Sequence, residues 1–269
     1  MSLTVNPAPW NLVAGEAAGC GATGRIPFLD LHFDRLTQPE AVAALLAAGA
    51  SESFRYLVTP NVDHMLRVAA DPAVAQIYRE AWLCLNDSRI LNLLAATIGI
   101  DLPATPGSDL VAALLAHPDL DRSAPILIVG GGAGLAEAVA GRCGLTRVAQ
   151  VRPPMGLRQN PAALAETVAA IEAAEARFVF LAVGSPQQEM IAAALARGGR
   201  ARGAGLCIGA GLEFLVGARR RAPAPLRAAG LEWLFRLACE PGRLGRRYLV
   251  DGPRILRVFW DYARASRDG

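Results

Sequence analysis

The sequence predicts an α/β protein in which a parallel sheet, covered by helices on both faces, is followed by a helical, arginine-rich appendage. Three observations carry that expectation. The 269 residues are 53% hydrophobic and 19% charged with mean hydropathy +0.30, enough apolar material for a large core and far from a disordered composition. From Arg25 to residue 218, short β-like runs alternate with alanine-rich helical runs, the signature of strand–helix–strand units. From Arg219 onward the pattern turns to helices alone. The implied organisation is a flexible lead-in over 1–24, a main domain over 25–218 and an appendage over 219–269.

In chain order, residues 1–24 are rich in Gly, Ala and Pro without periodicity and read as a poorly ordered start. Strands are expected at Ile26–Leu31, Phe54–Val58, Trp82–Leu85, Ile126–Val129, Val148–Val151, Phe178–Val183 and Leu206–Ile208. Helices are expected between them, at Glu40–Ala48, Pro72–Arg79, Arg89–Ile98, Asp109–Ala116, Leu135–Arg142, Pro161–Ala173 and Pro186–Ala196. The first is announced by Thr37, a capping residue, followed by Pro39 and Glu40 in the first turn. In the appendage, Arg254, Arg257, Asp261 and Arg264 share one helical face, with Ile255, Leu256, Phe259, Tyr262 and Ala263 mostly opposite and Trp260 alongside. Such a helix suits a membrane interface, and it equally suits packing on the main domain.

Several classes are excluded or disfavoured. No apolar run approaches the roughly 18 residues needed to span a bilayer, and no secretory signal is visible. The five cysteines (Cys20, Cys84, Cys143, Cys207, Cys239) show no CxxC spacing, which argues against a disulfide framework or a cysteine zinc site and fits a reducing cytosol. His32, His64 and His117 lack ligand spacing. Neither a GxSxG elbow nor a P-loop occurs. Every basic residue is arginine: twelve arginines face five acids from Arg219 to Gly269, whereas the preceding 218 residues hold fifteen arginines and nineteen acids. A mildly acidic body with a basic tail points to an anionic partner at the C-terminal end, or to a solvated charged surface.

In parallel sheets ligands gather at the carboxyl ends of strands. Gly130–Gly131–Gly132–Ala133–Gly134 follows a strand and precedes a helix, as a phosphate-cradling turn does. It fails the dinucleotide fingerprint, because Leu135 stands at the third glycine and Gln150 lies where an acid is required, so an NAD site is disfavoured. A diphosphate turn around Gly131 and a plain tight turn both remain open. Asp119–Leu120–Asp121 matches a metal-site pattern but precedes its strand and reads as a solvated turn. More informative are Thr59–Pro60–Asn61, Asn86–Asp87–Ser88 and Gly184–Ser185–Pro186–Gln187–Gln188–Glu189, each just beyond an apolar strand. They present polar side chains at one edge of the sheet. Asp87 there can serve as a general base or cap the next helix, and position alone does not decide.

With these motifs, the stretch from Ile26 to Tyr248 resembles the bacterial WecG/TagA/CpsF glycosyltransferases. The resemblance rests on Thr59–Pro60–Asn61, Asp87, Gly107–Ser108–Asp109, Gly184–Ser185–Pro186–x–Gln188–Glu189, Arg221–Ala222–Pro223, and Gly230–Leu231–Glu232–Trp233–Leu234–Phe235–Arg236–Leu237 continuing to Arg246–Arg247–Tyr248. It implies a Rossmann-like catalytic domain whose appendage closes the site at the membrane. It also implies inverting, metal-independent transfer from a UDP-sugar to a polyprenyl-diphosphate-linked saccharide for cell-surface polysaccharide. Asp87 then corresponds to the base, with Thr59, Asn61 and Gln188 lining the pocket. Ser108, Asp109, Gly131, Gly184, Ser185 and Glu213 are further substrate-binding candidates, and Arg221, Arg236 and Arg243 are candidates for the diphosphate. No cofactor beyond the donor is expected. The partners would be donor, acceptor and an anionic membrane surface, not nucleic acid, at the cytoplasmic face of the cell membrane. The chain departs from the family at Ser88 (usually Gly), Glu213 (usually Asp) and Gly242 (usually Arg); the first two bear on donor choice. The rival readings are an arginine-tailed nucleic-acid binder and a sugar-nucleotide oxidoreductase or epimerase.

Overall fold

A computed structural model describes residues 24–48, 53–220, 222–223, 226 and 231–268, with the side chains of Arg243 and 266–268 outside that description. The expected lead-in therefore lies outside the described residues apart from Gly24.

The main sheet has six parallel strands in the order β4–β3–β8–β7–β5–β6. They are β3 (Arg55–Val58), β4 (Leu83–Cys84), β5 (Ile126–Gly130), β6 (Val148–Val151), β7 (Phe178–Ala182) and β8 (Ala204–Cys207). Period-two alternation distributes their side chains between two cores. Tyr56, Val58, Leu127, Val129, Val179, Leu181 and Cys207 enter one, while Leu57, Ile126, Ile128, Phe178, Phe180 and Leu206 enter the other. The first core is closed mainly by α2 (Val62–Ala70), α3 (Pro72–Arg79), α7 (Pro161–Ala173) and α8 (Gln187–Gly198). The second lies under α1 (Gln38–Ala47), α5 (Gly107–Ala116), α6 (Leu135–Cys143) and α9 (Gly211–Leu215). A further helix, α4 (Arg89–Ala96), follows β4.

Three regions differ from expectation, and one of them is α9, a short helix that the sequence expectation does not include. Ile26–Leu31 is not one strand of the sheet but part of an antiparallel hairpin, β1 (Ile26–Phe28) and β2 (Leu31–Phe33). Leu29 and Asp30 turn it with φ of 48° and 65°, the positive values that a type I′ two-residue hairpin loop has at both positions. Leu29 accepts that backbone because its side chain is buried in the first core. Helix α2 is absent from the sequence expectation, although Val62, Met65, Leu66 and Ala69 recur at helical spacing and Asn61 caps its start.

Among the described residues, the stretch expected as an appendage contains α10 (Glu232–Cys239), α11 (Pro241–Arg246), a π-helical turn (Arg247–Asp251) and α12 (Arg254–Asp268). Helix α12 carries two apolar stripes. Ile255, Phe259 and Tyr262 lie on the body: Phe28 meets Phe259 at 6.3 Å and Tyr262 edge-on at 5.7 Å, and the Tyr262 hydroxyl donates to Pro27 O at 3.0 Å. Leu256 and Trp260 are 57% and 58% exposed, so the second stripe faces outward. No helix among the described residues is long and apolar enough to cross a membrane.

Candidate active site

The ends of β3, β4, β7 and β8 meet in a polar cluster at the carboxyl edge, where β3 is the neighbour of both β4 and β8. Asp87 follows β4, and its N–H donates to Pro60 O at 3.0 Å, tying the loops after β4 and β3 together. Its Oδ1 accepts from the Gly107 N–H, at the start of α5, at 3.1 Å. The Asn61 side chain bonds it as well. Because Asn61 Oδ1 already accepts the Asp63 N–H at 3.1 Å and so caps α2, its amide nitrogen is the end left for Asp87. Although Asp87 keeps partial exposure, desolvation outweighs these bonds and pushes its carboxyl up to about 7. Glu232 raises it further and Arg236 opposes the rise, so α10 of the appendage faces this carboxyl. The alternative of Asp87 as a helix cap falls to Ser88, whose Oγ accepts the Leu91 N–H at 3.3 Å to cap α4.

Thr59 is buried beside them, its Oγ1 3.4 Å from Cys207 O on β8. A side chain at position 107 would put Cβ 2.8 Å from Thr59 Oγ1, so glycine there lets the start of α5 approach both Thr59 and Asp87. Ser108 and Asp109 are half-buried in the first turn of α5. Asp109 O accepts from Gln38 Nε2 at 2.7 Å, anchoring α1.

Beyond β7, Gly184 takes the left-handed conformation with φ 81°, and Ser185 O accepts from Arg67 at 3.2 Å. Gln188 is buried, and its Oε1 accepts the Gly209 N–H after β8 at 3.1 Å. Gly131 lies at the same edge, past β7, in a turn clamped by Gln150, whose Nε2 donates to Gly130 O at 2.8 Å and Gly132 O at 2.9 Å. The residue that stands where a ribose-binding acid would be thus serves the turn itself, and no hydrogen bond among the described residues joins Gly131 to the Asp87 cluster.

Glu213 is held against Arg219, Oε2 to Nε 2.6 Å, and Glu240 lies 3.9 Å from the same guanidinium. Arg219, Arg220, Arg236, Phe214, Cys239 and Glu240 line a cleft of about 200 Å³ between α9 and α10. The Arg236 guanidinium stacks 5.7 Å from the Phe214 ring centre. Of the three arginines singled out in the sequence, Arg236 is therefore at the site, Arg221 lies outside the described residues, and Arg243 falls in α11 with its side chain undescribed.

The sequence motifs contain Glu189, Glu232 and Arg247, but the sequence assigns no site role to them or to His64. Arg247, half-buried and depressed in pKa chiefly by that burial, reaches 3.1 Å from Asp63, two residues beyond Asn61. His64 Nδ1 accepts the Asn61 N–H at 3.2 Å, closing a capping box that the three-residue spacing could have revealed. Asp119 and Asp121 lie ahead of β5, at the opposite edge, where Asp121 Oδ1 closes a turn onto Ser123. Among the described residues, no three His, Cys, Asp or Glu side chains gather as metal ligands would.

A six-stranded parallel sheet with its polar cluster at the carboxyl edge has the architecture of a Rossmann-like glycosyltransferase. The family model of the glycosyl transferase WecG/TagA/CpsF family matches residues 26–269, and the chain belongs to that family. It is accordingly a glycosyltransferase of cell-surface polysaccharide synthesis.

Proposed function

We propose that this enzyme transfers a sugar from a UDP-sugar to a polyprenyl-diphosphate-linked saccharide, with inversion and without a metal, at the cytoplasmic face of the cell membrane. The observation that carries the reading is Asp87: a carboxyl tuned to about 7 at the strand edge, facing an arginine-bearing helix. Inversion requires one in-line displacement at the anomeric carbon. A base takes the proton of the acceptor hydroxyl while UDP leaves from the opposite face, and a pKa near the working pH suits that base. Asn61 and the Gly107 N–H hold the carboxylate in place.

The departing diphosphate gathers negative charge, which fixed cations stabilise. Arg219, Arg220 and Arg236 at the cleft supply them, and a guanidinium pairs two phosphate oxygens at once and stays charged. Asp119 and Asp121, the only Asp-x-Asp pair noted in the sequence, stand at the wrong edge to bind a metal against this leaving group. The outward stripe of Leu256 and Trp260, with Arg254 and Arg257 beside it, supports peripheral contact with an anionic bilayer that holds the acceptor's lipid.

The test is transfer to a polyprenyl-diphosphate acceptor with a panel of UDP-sugars, in excess EDTA, with the anomeric configuration of the product read by NMR. Inverted product formed in EDTA is expected. A retained configuration, or activity lost to EDTA and restored by Mn²⁺, overturns the respective part.

A further inference from the structure

Beside Gln188 at the strand-end cluster lies a carboxylate that the proposed reaction does not use. Glu189 is only 2% exposed, and its Oε2 has no hydrogen-bond partner among the described residues. No ion pair to it occurs among them either. A buried carboxylate without a cation is costly, so a fold that keeps one calls for a compensating role. Its Oε1 accepts from Gln188 Nε2 at 2.8 Å, while Gln188 Oε1 accepts the Gly209 N–H at 3.1 Å.

The two ends of a glutamine amide are nearly the same in shape, and only their partners decide which way round the group sits. Here both partners agree. A backbone N–H claims the oxygen and an anionic oxygen claims the nitrogen. One Nε2 hydrogen remains for a ligand at the edge. Glu189 also adjoins the Tyr78 hydroxyl, and it is the foremost charge acting on His64, which accepts the Asn61 N–H.

We infer that Glu189 is a positioning residue: by holding the Gln188 amide in one orientation, it presents a fixed N–H donor to the sugar nucleotide. The inference rests on the reading of this edge as the UDP-sugar site. It also explains why the carboxylate follows Gln188 immediately in the first turn of α8, where the two side chains bond to each other.

A double-mutant cycle tests it, using the full chain and UDP binding by calorimetry together with kcat and KM for transfer. Glu189→Gln keeps the volume but replaces the carboxylate with an amide whose nitrogen can face Gln188 as readily as its oxygen, so the Gln188 amide loses the acceptor that fixes its orientation. Glu189→Gln and Gln188→Ala are each expected to weaken UDP binding and raise KM about tenfold, the scale of one hydrogen bond to a charged group, with kcat less affected. The double variant should be no worse than Gln188→Ala alone. Additive losses, or wild-type binding by Glu189→Gln, overturn the inference.

A second measurement needs no variant of Glu189. In wild-type protein carrying ¹⁵N-glutamine, assigned by its loss in Gln188→Ala, one Gln188 side-chain amide proton should be shifted downfield and protected from exchange. A rapidly exchanging, unshifted amide overturns the inference even if Glu189→Gln fails to fold. Wild-type protein that binds no UDP yet shows the protected amide overturns the donor assignment and leaves the positioning role standing.

Discussion

In the strand-end cluster each key side chain is tied to the backbone of another element: Asp87 to Gly107, Thr59 to Cys207, Gln188 to Gly209. Across from it, α10 has no buried residue, and the arginines around its cleft are steadied by carboxylates and a ring face, as Arg219 is by Glu213 and Arg236 by Phe214. The first region is held from many sides; the second keeps its charge near water on a few contacts. The difference teaches a division of labour. Proton transfer needs a base fixed in position and withdrawn from solvent, whereas a bulky diphosphate must enter and leave, which favours cations on a surface element.

The largest effect should come from breaking the fixed region. Asp87→Asn is expected to cut transfer about 10²-fold or more while leaving UDP binding near wild type, measured by turnover and calorimetry. The same variant should be more stable than wild type above neutral pH. A carboxyl raised from 3.8 to about 7 binds its proton more tightly folded than unfolded, so stability falls as pH rises through that window and stays lower above it. The gain at pH 8 is at most about 4 kcal/mol, readable in denaturant midpoints against pH. In the wild type, transfer should climb with pH to a plateau, with half-maximum near 7, as the base loses its proton.

Breaking the exposed region should cost less and differently. Arg236→Ala is expected to raise KM for the donor roughly tenfold at low salt, a loss that shrinks as salt rises, because its charge acts from a partly solvated helix and is screened.

The smallest effects separate the two stripes of α12. Phe259→Ala should lower stability by about 1–3 kcal/mol through the lost contact with Phe28, with little change in liposome binding. Trp260→Ala should leave the melting temperature unchanged and weaken binding to anionic liposomes. Equal effects of the two on melting would mean that the stripes are not distinct.

Much of this site can be read before any coordinates, because strand ends announce themselves where apolar runs stop at Thr59, Asp87 and Gly184. The strand runs of the sheet likewise stand within a residue or two of the observed strands wherever both flanks change character. What resists reading is whatever depends on partners distant in the chain. Glu189 looks like any acid in a first helical turn, and only the convergence of α2, α3 and β8 makes it a buried one. Ile26–Leu31 reads as a continuous run because nothing local reveals that Leu29 and Asp30 reverse the chain. Glu232 and Arg236 sit in an amphipathic segment whose sequence does not say which face meets Asp87.

The seam between Phe28 and Tyr262 bears on the order of events during synthesis. Its hydrogen bond joins residues 235 positions apart, one of the longest-range ties in the molecule. A ribosome makes the hairpin first and α12 only after every strand of the sheet, so the aromatic face of Phe28 stays uncovered for nearly the whole of translation. Closing so long a loop comes late in folding, after the sheet has gathered the intervening chain. A nascent chain stalled before residue 254 therefore displays this apolar face to chaperones, and release of the last helix is the step that withdraws it.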